Sequence, residues 1–201
     1  MSTHFIALSA TARHWSWRPS DRFGGGQFGF LVGLPNETVN YNGKLVVLES
    51  QDFWLNVQVS EGQLQKRHYQ STMQKLQSVG KNSFQFLSTG GKIITAKSGK
   101  QSLKFNLAGA RLKDNLGAAI NRVVLDVQVV EVRDRWLLVG ESYRIPNPAK
   151  GQKAFGERQM WVYLPHPMEL SPRQSVYIEG HIAAKWPTGE KNLYVIADLV
   201  A

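Results

Sequence analysis

The stretch Ser175-Val176-Tyr177-Ile178-Glu179-Gly180-His181-Ile182, carried on through Lys185 and Trp186 to Leu193-Tyr194-Val195-Ile196-Ala197-Asp198-Leu199-Val200, decides how this chain is read. Val176, Ile178, Gly180 and Ile182 alternate with Tyr177, Glu179 and His181, so a period of two places the first set on one face of a β-strand and the second on the other. That is a half-buried strand. Pro187-Thr188-Gly189-Glu190 is a turn-forming cluster, and beyond it Leu193, Val195, Ala197 and Leu199 share a face. The two runs predict a hairpin, entered through the polar corner Leu170-Ser171-Pro172-Arg173-Gln174.

Three more strands are predicted upstream. In 123–132, Leu125, Val127 and Val129 face one way and Asp126 and Gln128 the other; Arg133-Asp134-Arg135 then turns the chain into 136–144. A loop of proline, glycine and lysine, 145–156, precedes 160–164. There Met160, Val162 and Leu164 are predicted to enter the core, leaving Trp161 and Tyr163 side by side on the solvent-facing side. Two rings at this spacing make a stacking platform for nucleobases, and they equally suit a patch covered by another domain or subunit.

The stretch 170–186, with Ser175-Val176-Tyr177-Ile178-Glu179-Gly180 at its centre, resembles the late strands of the oligonucleotide-binding (OB) barrel in bacterial single-stranded DNA-binding proteins and their primosomal relatives. In that family a polar loop enters a strand of the form V-Y-I/V-E-G, and a basic-aromatic loop precedes the closing strand. The match falls in residues 120–201, and the span between Leu164 and Ser175 is shorter than the family's usual loop and helix. With 175–184 and 193–200, the predicted strands make up the set of five that such a barrel needs. Ligand commonly crosses the second and third strands and the loops between the first and second and between the fourth and fifth. The resemblance therefore implies nucleic-acid contacts from Trp161, Tyr163, Lys185, Trp186 and Lys191. Arg133 and Arg135, with Trp136 beside them, join this set from the first of those loops.

The 201 residues are 42% hydrophobic, enough for one generous core or two small ones. There is no cysteine, which removes disulfides, thiolate metal sites and cysteine nucleophiles together. Phe5-Ile6-Ala7-Leu8 is too short for a signal segment and no run reaches the length of a membrane span, so a cytoplasmic protein with no membrane partner is expected.

The net charge of +9 is unevenly placed. Residues 62–113 carry ten cations, Lys92, Lys97 and Lys100 among them, and no aspartate or glutamate. Ordinary solvated faces mix both signs, so this unit reads as a footprint for a polyanion, the alternative being an acidic protein partner. Lys92, Lys97 and Lys100 are accordingly candidates for tracking a phosphate backbone.

Within residues 1–112 the pattern is β-rich with one helix. Trp15 and Trp17 share a side in an extended segment with Arg13, which suits either burial against a small core or base stacking. Gly24-Gly25-Gly26 lacks the lysine and serine or threonine of a phosphate-binding loop and reads as a turn. Runs 44–49 and 53–59 predict a hairpin, with Trp54 off the Phe53-Leu55-Val57-Val59 face. Ser60 and Gln63 form a capping-box pattern opening a helix that runs to Gly80. Gly90-Gly91 and Ser98-Gly99 are expected hairpin turns. The first half shows no sequence repeat of the second, although its composition is one a second OB-like barrel could have. Two units are expected, 1–112 and 120–201, joined through Lys113-Asp114-Asn115-Leu116-Gly117-Ala118-Ala119.

No catalytic constellation emerges. His4, His14, His68, His166 and His181 are scattered without metal-ligand spacing, and no Gly-x-Ser-x-Gly elbow occurs. A non-enzymatic protein without cofactor or metal is expected, mainly β in fold and binding single-stranded DNA in replication or recombination. RNA or a nucleoprotein complex is the alternative ligand, and an assembly protein is the alternative class. Homo-oligomers occur among the barrel relatives, so a homo-oligomer and replication or recombination proteins are the further partners expected, with recruitment not through an acidic tail, since none follows Val200-Ala201 in this sequence.

Overall fold

The structure is a computed structural model that describes residues 4–19, 25–34, 37–41, 43–48, 52–67, 70–71, 74, 83–89, 91–95, 101–106, 110–114, 120–144, 155–184 and 193–201. Its second half contains five strands: β10 (Asn121–Arg133), β11 (Trp136–Arg144), β12 (Phe155–Tyr163), β13 (Ser175–Ala183) and β14 (Tyr194–Val200). β10 pairs with β11, β11 with β12, β14 with β13, and β13 with β10, all antiparallel, while β12 and β14 pair parallel. Those pairings run round a complete ring in the order first, second, third, fifth, fourth. This is the Greek-key order of an OB barrel.

Alternation places its core. Val123, Leu125, Val127 and Val129 of β10 are buried, as are Val176, Ile178 and Ile182 of β13, because every second residue points inward. Leu193, just ahead of β14, and Val195 and Ala197 on it are buried as the pattern predicts, but Leu199 is exposed. The reason is a shift of register: Gly180 pairs with Ala197 and Glu179 with Leu199, so an extra residue turns the end of the strand over.

The first half repeats this order in β1 (His4–Pro19), β2 (Gly26–Gly33), β5 (Asp52–Val59), β6 (Ser83–Thr89), β7 (Lys92–Thr95), β8 (Gln101–Asn106) and β9 (Ala110–Asp114). β1 pairs with β2 and β2 with β5, both antiparallel, and β5 runs parallel to β8. β6 joins β1 and β9, whereas β7 joins β8. Segments β6 and β7 do not pair with each other, so Gly90-Gly91 is not the expected hairpin turn: the two segments together hold the fourth-strand position. Gly91 serves packing instead, since a Cβ there would lie 2.4 Å from the Phe105 ring. Ser98-Gly99 lies outside the described residues.

The hairpin expected across 43–59 is also different. β4 (Lys44–Leu48) pairs with β3 (Glu37–Tyr41) in a separate two-stranded sheet, turning at Gly43 with φ +77°. β5 needs a neighbour on both edges to bury Phe53, Leu55, Val57 and Val59, and β2 and β8 supply them. After β5, Ser60 donates its backbone N–H to Gln63 Oε1 at 2.8 Å and opens α1 (Glu61–Leu64). Helical backbone recurs at residues 67, 70, 71 and 74; the remainder of the expected helix lies outside the described residues. Trp15 and Trp17 pack against the core, Trp17 with its ring centroid 4.5 Å from that of Phe28.

The barrels meet through their first strands. His4 to Leu8 of β1 pair antiparallel with Leu125 to Asn121 of β10. On each first strand the second strand lies further along that same edge and the fourth-strand segment lies on the other, which relates the halves by an approximate twofold axis. Buried residues of both halves belong to one continuous apolar cluster.

Candidate nucleic-acid interface

On the second barrel the turn Arg133-Asp134-Arg135-Trp136 closes the first and second strands, with Asp134 in the left-handed region at φ 52°. This turn brings Trp136 opposite Tyr163 and Leu138 opposite Trp161 on the outer side of the barrel. Trp136 lies edge-on to Trp161 at 6.3 Å between centroids, 5.4 Å from Tyr163 and 5.2 Å from Tyr194. Arg133 sits over the Trp161 ring at 5.4 Å, a cation–π distance, and its guanidinium also binds the Glu131 carboxylate. The hydrogen bond to Glu131 raises the Arg133 pKa from its ordinary value.

The two rings of the predicted platform are not equally available. Trp161 is half-buried, but Tyr163 is 1% exposed, which corrects the expectation of a solvent-facing pair. Tyr163 packs with Tyr194, Ile196 and Ala183 in a second apolar cluster, against which Trp136, Trp161 and Val46 lie. Alternation had put it on the correct face; Val46, from the β3–β4 hairpin of the other half, roofs that face. Arg135 is also engaged, donating to the Pro165 carbonyl at 3.0 Å and to the Tyr163 hydroxyl at 3.5 Å. Lys97, Lys100, Lys185, Trp186 and Lys191 lie outside the described residues. Lys92 is on β7, at the position directly opposite Lys104 of β8.

The first barrel carries an outer face that the sequence did not assemble. The register lines up His14, Leu31, Trp54 and Ser102 in one row across β1, β2, β5 and β8, and Ser16, Gly29, Asn56 and Lys104 in the next. Arg18, Gln27 and Gln58 follow. His14 meets Trp54 edge-on at 6.3 Å, and Gln27 donates to Asn56 Oδ1 at 3.0 Å. Gly29 keeps the middle of this face low: a Cβ there would stand 3.2 Å from Trp54, Asn56 and Ser16 alike. The signal was present in the sequence as Trp54 lying off the apolar face of its strand. Its neighbours came from strands distant in sequence.

Among the described residues no three histidines or carboxylates are grouped to hold a metal ion, and no helix is long and apolar enough to cross a membrane. The fold so defined is mainly β, with the OB strand order in each half. It is shared by two solved structures of the single-stranded DNA binding protein from Thermus aquaticus. An engineered deletion variant matches with a TM-score of 0.56 at 12% sequence identity, covering 100% of this chain and 93% of that one. The wild type matches with a TM-score of 0.55 at 11% identity, covering 100% and 92%. No protein-family model matches the sequence, and no curated protein matches it.

Proposed function

We propose that the chain is a non-enzymatic binder of single-stranded nucleic acid, DNA in preference to RNA, acting through both barrels in replication or recombination. The observation that carries this reading is the match in fold, over the whole chain, to a protein that binds single-stranded DNA. The outer face of the first barrel supports it, because Trp54 and His14 offer rings for stacking while Arg18 and the amides of Gln27, Asn56 and Gln58 offer donors to phosphate and sugar. In the second barrel Trp161 and Trp136 offer the stacking surface with Arg133, and Tyr163 supports Trp136 from beneath. Lys92, Lys97, Lys100, Lys185, Trp186 and Lys191 complete the basic path, as their sequence positions suggest. Partners beyond the strand itself, a second copy or replication proteins, belong to the same proposal.

Titrating the six tryptophans with oligo(dT) by fluorescence, at two salt concentrations, tests the reading. Quenching on binding is expected, with affinity falling as salt rises. An RNA oligomer of matching sequence should bind more weakly; equal or tighter RNA binding transfers the proposal to RNA. Absence of binding at low salt to either polymer sinks it.

A further inference from the structure

The equivalent outer faces of the two barrels differ in one respect. Among the described residues, the Trp54–His14 face carries no packed hairpin, whereas Val46 of the β3–β4 hairpin packs, with Trp136 and Trp161, against the Tyr163–Tyr194 cluster of the other. Among the described residues its strands pair with each other and not with the twelve-stranded sheet, and an isolated two-stranded ribbon is marginally stable in water. The residues on either side of Val46 point away: Leu45 is 79% exposed and Val47 61%. Among the described residues of β4, Val46 is the one half-buried against this cluster.

Resting on the function proposed above, we infer that the β3–β4 hairpin is a displaceable cap that competes with single-stranded nucleic acid for the aromatic face of the second barrel. The roofed face is the one on the second and third strands, where OB barrels receive nucleobases. Bases and Val46 cannot occupy the same rings. The apparent affinity of the second barrel is therefore its intrinsic affinity multiplied by the fraction of molecules with the hairpin lifted. Both ends of the insertion are anchored beside each other, since Gly33 pairs with Asp52.

The test uses the full chain with Val46→Asn, which removes the apolar contact without adding charge, and Val47→Asn as the outward-facing control. A third variant replaces residues 37–48 with a short glycine-serine turn. Circular dichroism first checks that each is folded, and the shortened variant carries the test if Val46→Asn is not. The expected result for Val46→Asn and the shortened variant is more acrylamide quenching of tryptophan in the free protein, together with about five- to tenfold tighter binding of a dT oligomer of about 30 nucleotides. Val47→Asn should change neither. Greater quenching with unchanged or weaker affinity overturns the cap, and so does unchanged quenching in folded Val46→Asn. If the parent binds the oligomer and the opened variants bind no tighter, only the cap falls. If neither parent nor opened variants bind, the functional reading falls and takes the cap with it.

Discussion

Two residues separated by one position, Trp161 and Tyr163, share a face yet have different work. Tyr163 is packed among Tyr194, Ile196 and Ala183 and belongs to the scaffold, so Tyr163→Ala leaves a cavity costing about 3–5 kcal/mol. Trp161 keeps part of its ring in solvent with Arg133 above it, and its loss should weaken oligonucleotide binding by about 1–3 kcal/mol. Thermal unfolding and fluorescence titration separate the two: a large drop in Tm for the tyrosine variant, a large change in Kd for the tryptophan variant. Equal effects of both on binding, with no loss of stability, would return Tyr163 to the surface. The sequence showed the shared face because alternation is local. It could not show the roof, because Val46 lies more than a hundred positions away and reads as part of an ordinary strand.

Among the elements, amphipathic strands were legible and partner choice was not. β10 and β13 declare their inward faces by alternation, and the structure buries those residues. β4, β5, β6 and β7 are strands as read, and β7 pairs with the following β8, but β4 does not pair with β5 nor β6 with β7, since loop closure between close segments competes with burial of Phe53, Leu55 and Phe105 in a barrel. Gly180 in β13 links sequence to register most directly. A Cβ at that position would come within 2.1 Å of the Ile196 carbonyl oxygen, a backbone atom that cannot swing away. Gly180→Ala should therefore destabilise the protein by about 1–3 kcal/mol, measured by denaturant unfolding. No loss of stability would mean that β14 is free to move off β13 at this point.

For the molecule as a whole, the recurrence of one strand order in both halves was hidden by sequences that share no repeat, while the asymmetry of charge was plain from composition. The acid-free span contains β6, β7, β8 and β9 up to its last residue, and Lys92 and Lys104 are in register there. Replacing Lys92, Lys97 and Lys100 together by alanine should flatten the dependence of log Kd on log salt by about 2 for a single strand. An unchanged slope would take the backbone path off this barrel. The seam between β1 and β10 lies within a single polypeptide. Dilution cannot part the barrels, as it parts two copies of a chain that meet only by association. A gene change on one barrel also leaves its counterpart untouched, so one face can be kept open and the other shuttered without breaking the pairing that holds them together.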